Sequence, residues 1–132
     1  MSLLYTIVQK GNPVDSKQPK KYHLQSKIRG SKSHKQILET ASKNTTVNKK
    51  EIDNGVYAFI EAMFDALEDG FSVEVEGLGT FSTSLSSEGV SSEAEANASK
   101  VKSISLVFRS KPEARTRVGN FKLEKYNPGA TL

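Results

Sequence analysis

Basic side chains are the residues of this sequence best suited to a chemical role, and that role is contact with phosphate groups. Those best placed for this role lie in the last third of the chain, where predicted strands and a predicted helix hold them in place. The candidate phosphate-contacting residues are Lys100, Lys102, Arg109, Lys111, Arg115 and Arg117. Ammonium and guanidinium groups neutralise a DNA backbone without reading its sequence. For each residue by itself, a solvated surface charge is the competing explanation.

Charge is strongly segregated along the 132 residues, although the net charge is only +4. Residues 1–50 carry a net of +9, residues 51–99 a net of −11, and residues 100–132 a net of +6. This pattern predicts separate basic and acidic surfaces rather than a uniform basic coat. The alternative is that the basic and acidic segments neutralise each other in the fold. The lysines of residues 1–30 are expected to matter less, because the loop of residues 12–19 is predicted to be mobile.

Catalytic and metal-binding chemistry have little support in the sequence. The two histidines, His23 and His34, are far apart and lack metal-ligand spacing. The carboxylates Asp65, Glu68 and Asp69 follow one another at the end of a predicted helix, but a catalytic pair needs a perturbing environment. There is no cysteine, P-loop, zinc signature or nucleophile elbow. We therefore predict a protein that is not an enzyme, with no cofactor and no small-molecule substrate.

Two helices are predicted before the acidic segment. The first begins near Ser33 and ends near Asn44. The second begins with a capping box formed by Asn48 and Glu51. Apolar residues recur along it at helical spacing: Ile52, Val56, Phe59, Ile60, Met63, Phe64 and Leu67. This stripe is larger than one short helix and a small sheet need to bury, and it predicts a homodimer with this helix and the sheet in the interface.

The twelve residues 70–81, GFSVEVEGLGTF, combine a strand pattern with two glycines at alternate positions. Apolar and polar residues alternate from Phe71, which predicts a strand that runs through the glycines to about Leu85. Glycine within a strand indicates a bend, a bulge or a close approach of another backbone. A dinucleotide-binding loop would need a third glycine and an immediate helix, whereas serines follow here. An ordinary hairpin with two bend glycines remains the simpler alternative.

A helix ending at Gly70, followed by strand, Gly-x-Gly and strand, resembles the bacterial HU/IHF histone-like DNA-binding proteins. Leu78 replaces one aromatic residue of that family's turn. The resemblance covers about residues 31–119. It implies an α+β fold: a two-helix base, an antiparallel sheet with a β-arm, and a short C-terminal helix. It also implies an intertwined dimer whose arms embrace duplex DNA through the minor groove.

The predicted arm departs from the family pattern in its chemistry. The resemblance implies basic arms with a proline that wedges between base pairs. Between Phe81 and Ser99 there is no Arg, Lys or Pro, and the arm instead contains Glu88, Glu93 and Glu95. Phosphates repel such an arm, so bending and intercalation are not expected from it. The alternative function is a structural or protein-interaction module whose arm pairs with a basic surface of another subunit.

The predicted organisation has three parts. Residues 1–30 form an N-terminal extension with strands at Leu4–Gln9 and Tyr22–Ile28, and residues 31–119 form the HU-like DNA-binding domain. Residues 120–132 add a strand with Phe121 and Leu123 inward, and a tail. These extensions resemble those of a longer HU-related subfamily.

No apolar run approaches 18 residues and no signal peptide begins the chain. We therefore predict no membrane partner and a place in the bacterial cytoplasm, at the nucleoid. The predicted partners are double-stranded DNA and a second copy of the chain, and binding is expected not to depend on DNA sequence.

Overall fold

The computed structural model describes residues 2–11, 14 and 17–129. The chain divides into a central unit, His34–Arg117, and a terminal unit formed by the residues before and after it. Residues 12, 13, 15 and 16 of the predicted loop 12–19 lie outside the described residues. The elements in chain order are β1 Leu3–Lys10, β2 Lys21–Lys27, α1 His34–Lys43, α2 Lys49–Glu68, β3 Val73–Val75, β4 Gly79–Ser87, β5 Val101–Ser110, α3 Pro112–Gly119 and β6 Leu123–Lys125.

The terminal unit contains a three-stranded sheet in the order β2-β1-β6. Strand β1 pairs antiparallel with β2 from Leu4↔Lys27 to Lys10↔Lys21, and it pairs parallel with β6. The two predicted N-terminal strands are confirmed within a residue or two at each end. The prediction that Phe121 and Leu123 point inward is wrong, since the two residues are 51% and 60% exposed. The C-terminal strand is short because only three residues continue the pairing with β1.

The central unit begins with the two predicted helices, and α2 has well-defined ends. The Asn48 side chain accepts a hydrogen bond from the Glu51 backbone N–H at 2.9 Å, which confirms the predicted cap. At the other end, Gly70 has a φ of 90°. Its N–H bonds the Leu67 carbonyl, and the Phe71 N–H bonds the Ala66 carbonyl. This is the Schellman arrangement, which requires a left-handed residue that glycine supplies without a Cβ clash.

The sheet of the central unit has the order β3-β4-β5, and it corrects one prediction. Residues 71–85 do not form one strand interrupted by glycines. The chain reverses between β3 and β4, so that Val75 pairs with Gly79. Gly77 has a φ of 79°, and the Leu78 N–H bonds the Val75 carbonyl at 3.1 Å. A residue with positive φ closes a tight turn, and this turn leads into the long β4–β5 hairpin.

The two faces of this sheet differ sharply in polarity. The cross-strand pairs Phe81↔Phe108, Thr83↔Leu106 and Leu85↔Ile104 form one face. Serines and Thr80 dominate the other. The rings of Phe81 and Phe108 lie 4.9 Å apart between centroids, which is a favourable aromatic separation. The hydrophobic face is therefore continuous along the hairpin.

Very little of the apolar surface is buried within one chain. Among the described residues the buried hydrophobic side chains are Leu4, Leu38 and Leu67. On α2, Phe59 is 52% exposed, and on the sheet Ile104 is 68% exposed. Exposed apolar surface on this scale marks an interaction site. The single chain thus has two apolar faces that it does not itself cover.

Gly79 is a position where a side chain cannot fit. A Cβ there would meet the Arg109 carbonyl oxygen and would lie 2.6 Å from Cε2 of Phe108. We expect Gly79→Ala to destabilise the fold, because the strand and the aromatic ring must separate. The control is Gly55→Ala in α2, where a Cβ meets nothing within 4 Å and helix propensity gains up to about 1 kcal/mol. Urea unfolding of both variants checks this, and a Gly79→Ala midpoint at or above the wild-type value contradicts it.

Candidate nucleic-acid interface

Arg109 and Lys111 lie at the junction between β5 and α3. Arg109 is exposed on the polar face of the sheet, opposite Thr80, which in turn lies opposite Glu74. Lys111 follows the end of β5, and its backbone N–H donates to the Leu78 carbonyl at 3.1 Å. The junction is therefore held by backbone hydrogen bonds, as the sequence predicted for this cluster of basic residues.

The Lys111 side chain already has an anionic partner. Its Nζ forms an ion pair and hydrogen bond with Oε1 of Glu74. The hydrogen bond and the positive charge of Lys111 hold the pKa of Glu74 below its ordinary value of 4.5. Phosphate contact by Lys111 competes with this carboxylate. Sequence reasoning missed the pair because Glu74 and Lys111 are 37 positions apart.

We expect Glu74→Gln to remove a small stabilisation that depends on pH. A carboxyl whose pKa is lowered by folding stabilises the protein above its unfolded pKa and loses this effect as pH falls through the folded value. The wild type should therefore melt above the variant at pH 7, and the difference should shrink as pH falls below 4.5 and vanish once pH is below the lowered pKa of Glu74. Thermal melts from pH 7 to pH 3 measure this. Glu76→Gln is the control, and an equal pH-dependent difference for that variant contradicts the assignment.

The two arginines of α3 have different surroundings. Nη1 of Arg115 donates to the Ser110 carbonyl at 2.8 Å, so its guanidinium group closes the turn between β5 and α3. Arg117 is exposed in the last turn of α3, where a cation also interacts favourably with the helix dipole. Arg117 is therefore the freer of the two for a phosphate.

Lys100 and Lys102 lie at the far end of the hairpin, where the sequence predicts that both continue the apolar face of the returning strand. For Lys100 this prediction is wrong. Lys100 precedes β5 and ends a short 3-10 turn, Ala98–Lys100, instead of lying on the strand. Its carbonyl accepts a hydrogen bond from the Glu88 N–H at 2.9 Å. Lys102 is on β5 but has no partner on β4, because Ser86 pairs with Ser103 and Ser87 with Val101. This β-bulge changes the direction of the Lys102 side chain. The apolar face of β5 therefore does not continue by regular alternation to Lys100.

The six candidate residues do not form one compact cluster. Arg109 and Lys102 are seven residues apart on β5, which corresponds to more than about 20 Å at 3.3 Å per residue. Arg109 lies on the polar face, opposite to the face of Ile104, Leu106 and Phe108. The structure thus brings Arg109, Lys111 and Arg115 together at the junction, and it separates them from Lys100 and Lys102.

The acidic arm tip is built from hydrogen-bonded turns. Residues Glu93–Glu95 form a second 3-10 turn, and Oγ of Ser91 donates to Oε2 of Glu95 at 3.3 Å. Oδ1 of Asn97 accepts a hydrogen bond from the Ser99 N–H at 2.9 Å, which is an Asx-type turn. Glu88, Glu93 and Glu95 remain exposed. The turns were missed because serine-rich sequence has weak propensity, although Asn97 was a usable signal.

A groove lies between α2 and the hydrophobic face of the sheet. One part has a volume of about 410 Å³ and is lined by Phe59, Ile60, Met63, Phe64, Leu67, Val75, Leu78, Phe81 and Leu106. A second part of about 580 Å³ shares Phe64, Leu67 and Leu106 with the first and extends to Leu85 and Ile104. The first part is lined by apolar side chains alone. These residues include most of the predicted interface stripe of α2.

Membrane-spanning helices and metal clusters are both absent from residues 2–11, 14 and 17–129. In that part of the chain no helix is both long and apolar enough to cross a membrane. No group of three or more His, Cys, Asp or Glu side chains is placed to hold a metal ion there.

Two helices, a three-stranded sheet with a long hairpin, and a short following helix define the HU-type class of α+β fold. The chain belongs to the HU-HIG family, described as an HU domain fused to a wHTH, Ig or glycine-rich motif, whose family model matches residues 1–125. The predicted resemblance and fold class are therefore confirmed.

A solved structure from Bacteroides vulgatus ATCC 8482, described as a presumed bacterial DNA-binding protein, has a similar fold. It is 20% identical, with a TM-score of 0.66, and the match covers 96% of this chain and 50% of that one. The chain therefore spans half the length of this structural neighbour, and the likeness shows the fold alone. A search of curated protein sequences found no match.

Proposed function

We propose that this protein binds duplex DNA as a homodimer, through phosphate contacts that do not depend on base sequence. Membership of a family built around an HU domain supports a DNA-binding role, as does a structural neighbour described as DNA-binding. The charge distribution supports contact with phosphates rather than bases. The proposal describes a binding protein and not an enzyme, with the bacterial nucleoid as its place of action.

The observation that carries the homodimer is the apolar groove between α2 and the sheet. Its lining side chains, such as Phe59 and Phe64, are more than half exposed in one chain. A second copy offers the same apolar helix and the same apolar sheet face, so a symmetric pair can cover both grooves at once. Burial of this surface supplies the hydrophobic core that the single chain lacks.

The proposed phosphate contacts are Lys100, Lys102, Arg109 and Arg117, with Lys111 and Arg115 as weaker members. The first group has no anionic side-chain partner among the described residues. Lys111 must exchange Glu74 for a phosphate, and Arg115 must give up the Ser110 carbonyl or share its donors. Glu88, Glu93 and Glu95 argue against insertion of the arm tip along DNA.

Binding of the full chain to labelled duplexes at low salt tests this function. Two duplexes of unrelated sequence should bind with similar affinity. Absence of binding to both at low salt contradicts a DNA-binding function, and a strong preference for one contradicts readout through phosphates alone.

A second candidate function is a structural or protein-interaction module that keeps the HU-type fold. The acidic, hydrogen-bonded arm tip favours it, because such a tip pairs better with a basic protein surface than with DNA. This function predicts assemblies larger than a dimer that dissociate when Glu93 and Glu95 are changed to Gln. Sedimentation at low salt separates the two functions.

A further inference from the structure

The terminal unit carries an unusually one-sided charge. Its described residues include nine Lys and Arg but a single acid, Glu124, and Asp15 lies outside the described residues. The sequence suggested that the lysines of residues 1–30 matter less, because the loop of residues 12–19 was predicted to be mobile. The structure instead places Lys10 and Lys21 on paired strands, where the backbone is already ordered.

Lys10 and Lys21 lie directly opposite each other at the last pair of the β1–β2 ladder. Side chains at directly opposed positions start about 5 Å apart at Cβ, and like charges there destabilise the sheet. The ion pairs among the described residues are His34–Asp53, Lys49–Glu39 and Lys111–Glu74, so neither lysine has a carboxylate partner in that part of the chain. An anion held between the two ammonium groups would remove their repulsion.

A third lysine and a histidine extend this cluster. A Cβ placed on Gly11 would lie 3.6 Å from Cγ of Lys20, so the Lys20 stem runs beside the backbone next to Lys10. His23 lies two residues from Lys21 on the same strand face, opposite Val8, and is exposed. Lys10, Lys21 and His23 thus share one face at this end of the hairpin, and Lys20 lies beside Gly11 at the same end.

We propose that this hairpin end, defined by Lys10, Lys20 and Lys21, is a second phosphate-binding site whose ligand is the backbone of duplex DNA. The identity of the ligand rests on the proposed function, but the site contains none of the six candidate residues between positions 100 and 117. Duplex DNA presents one negative charge per about 1.7 Å of its axis, so adjacent phosphates can occupy adjacent lysines. Each chain then binds DNA through both of its units.

The test is the variant Lys10→Gln/Lys21→Gln in the full chain, with Lys43→Gln/Lys50→Gln as control. Both variants remove two exposed lysines and the same charge. Anisotropy titrations with a labelled duplex at several salt concentrations give the slope of log K against log salt. The hairpin variant should flatten this slope by about 0.9 for each phosphate that the protein no longer neutralises. The control should flatten it less.

Thermal melts with inorganic phosphate give a second readout that does not use DNA. Added phosphate should raise the melting temperature of the wild type more than that of the hairpin variant. In buffer of low salt without phosphate, the variant should melt at or above the wild type, because the lysine repulsion is gone.

The failures can be told apart. If the wild type binds DNA and the hairpin variant keeps the slope of the control, this second site is wrong and the proposed function stands. If the wild type does not bind DNA, both are wrong. A third outcome is that Lys10→Gln/Lys21→Gln and Glu93→Gln/Glu95→Gln each prevent the formation of assemblies larger than a dimer. The ligand of the hairpin end is then the acidic arm of another copy, and the DNA assignment is overturned.

Discussion

Phe59→Asp should yield an unfolded chain or a destabilised monomer, whereas the wild type is expected to be a dimer. Phe59 lines the groove between α2 and the sheet and is 52% exposed in the single chain. In the proposed dimer an aspartate at this position would place an unpaired charge within an apolar interface, which costs several kcal/mol. Sedimentation across micromolar concentrations, together with circular dichroism, measures both association and folding.

Ala58→Asp is the matched control, since it adds the same charge to the neighbouring position of α2. Ala58 is exposed and does not line the groove. At about 100° per residue it lies on the side of the helix opposite Ile60. The control should remain a dimer with nearly unchanged stability. A wild-type protein that is monomeric throughout this concentration range would contradict the proposed interface.

Neutralising Lys100, Lys102 and Arg109 together should cause the largest decrease in DNA affinity. A dimer that neutralises three fewer phosphates per chain loses six phosphate contacts. The slope of its log K against log salt should be smaller by roughly 5, at about 0.9 per phosphate. Glutamine replacements preserve a polar, hydrogen-bonding side chain and remove the charge. Affinity should fall uniformly for duplexes of different sequence, because phosphate contacts carry no sequence information.

The arm tip provides the opposite charge change as a comparison. Glu93→Gln/Glu95→Gln removes two exposed acids without altering the hairpin, and it should leave DNA affinity unchanged or raise it. Deletion of residues 82–99 is a poorer test, because it removes most of β4, which pairs with β5 up to Ser87. If neutralising the three basic residues left DNA affinity unchanged while the arm variant no longer bound DNA, the arm would be the DNA-binding site.

The sequence predicted those parts of the fold that depend on local patterns. The Asn48 cap and the Gly70 helix end each arise within one or two helical turns, the α2 stripe repeats every three or four residues, and all are present. The reversal at Gly77 was harder, because alternation in β3 continues with the same parity in β4. A positive φ at one glycine decides between a straight strand and a turn, and composition alone does not reveal it.

The candidate site was predictable only as a set of residue types. Arg109, Lys111 and Arg115 lie at one junction because they are close in sequence. The Glu74–Lys111 pair depends on strand order, and the bulge at Lys102 depends on register, so neither has a local signal. The Lys10–Lys21 pair likewise follows from the register of β1 and β2.

The most direct measurement is a competition titration, in which unlabelled duplexes displace a labelled duplex from the wild-type chain. The titration is repeated from low to physiological salt. A dimer that binds through phosphates predicts a linear fall of log K with log salt, with the same slope for duplexes of unrelated sequence. Binding that is insensitive to salt, or no binding even at the lowest salt, would contradict it.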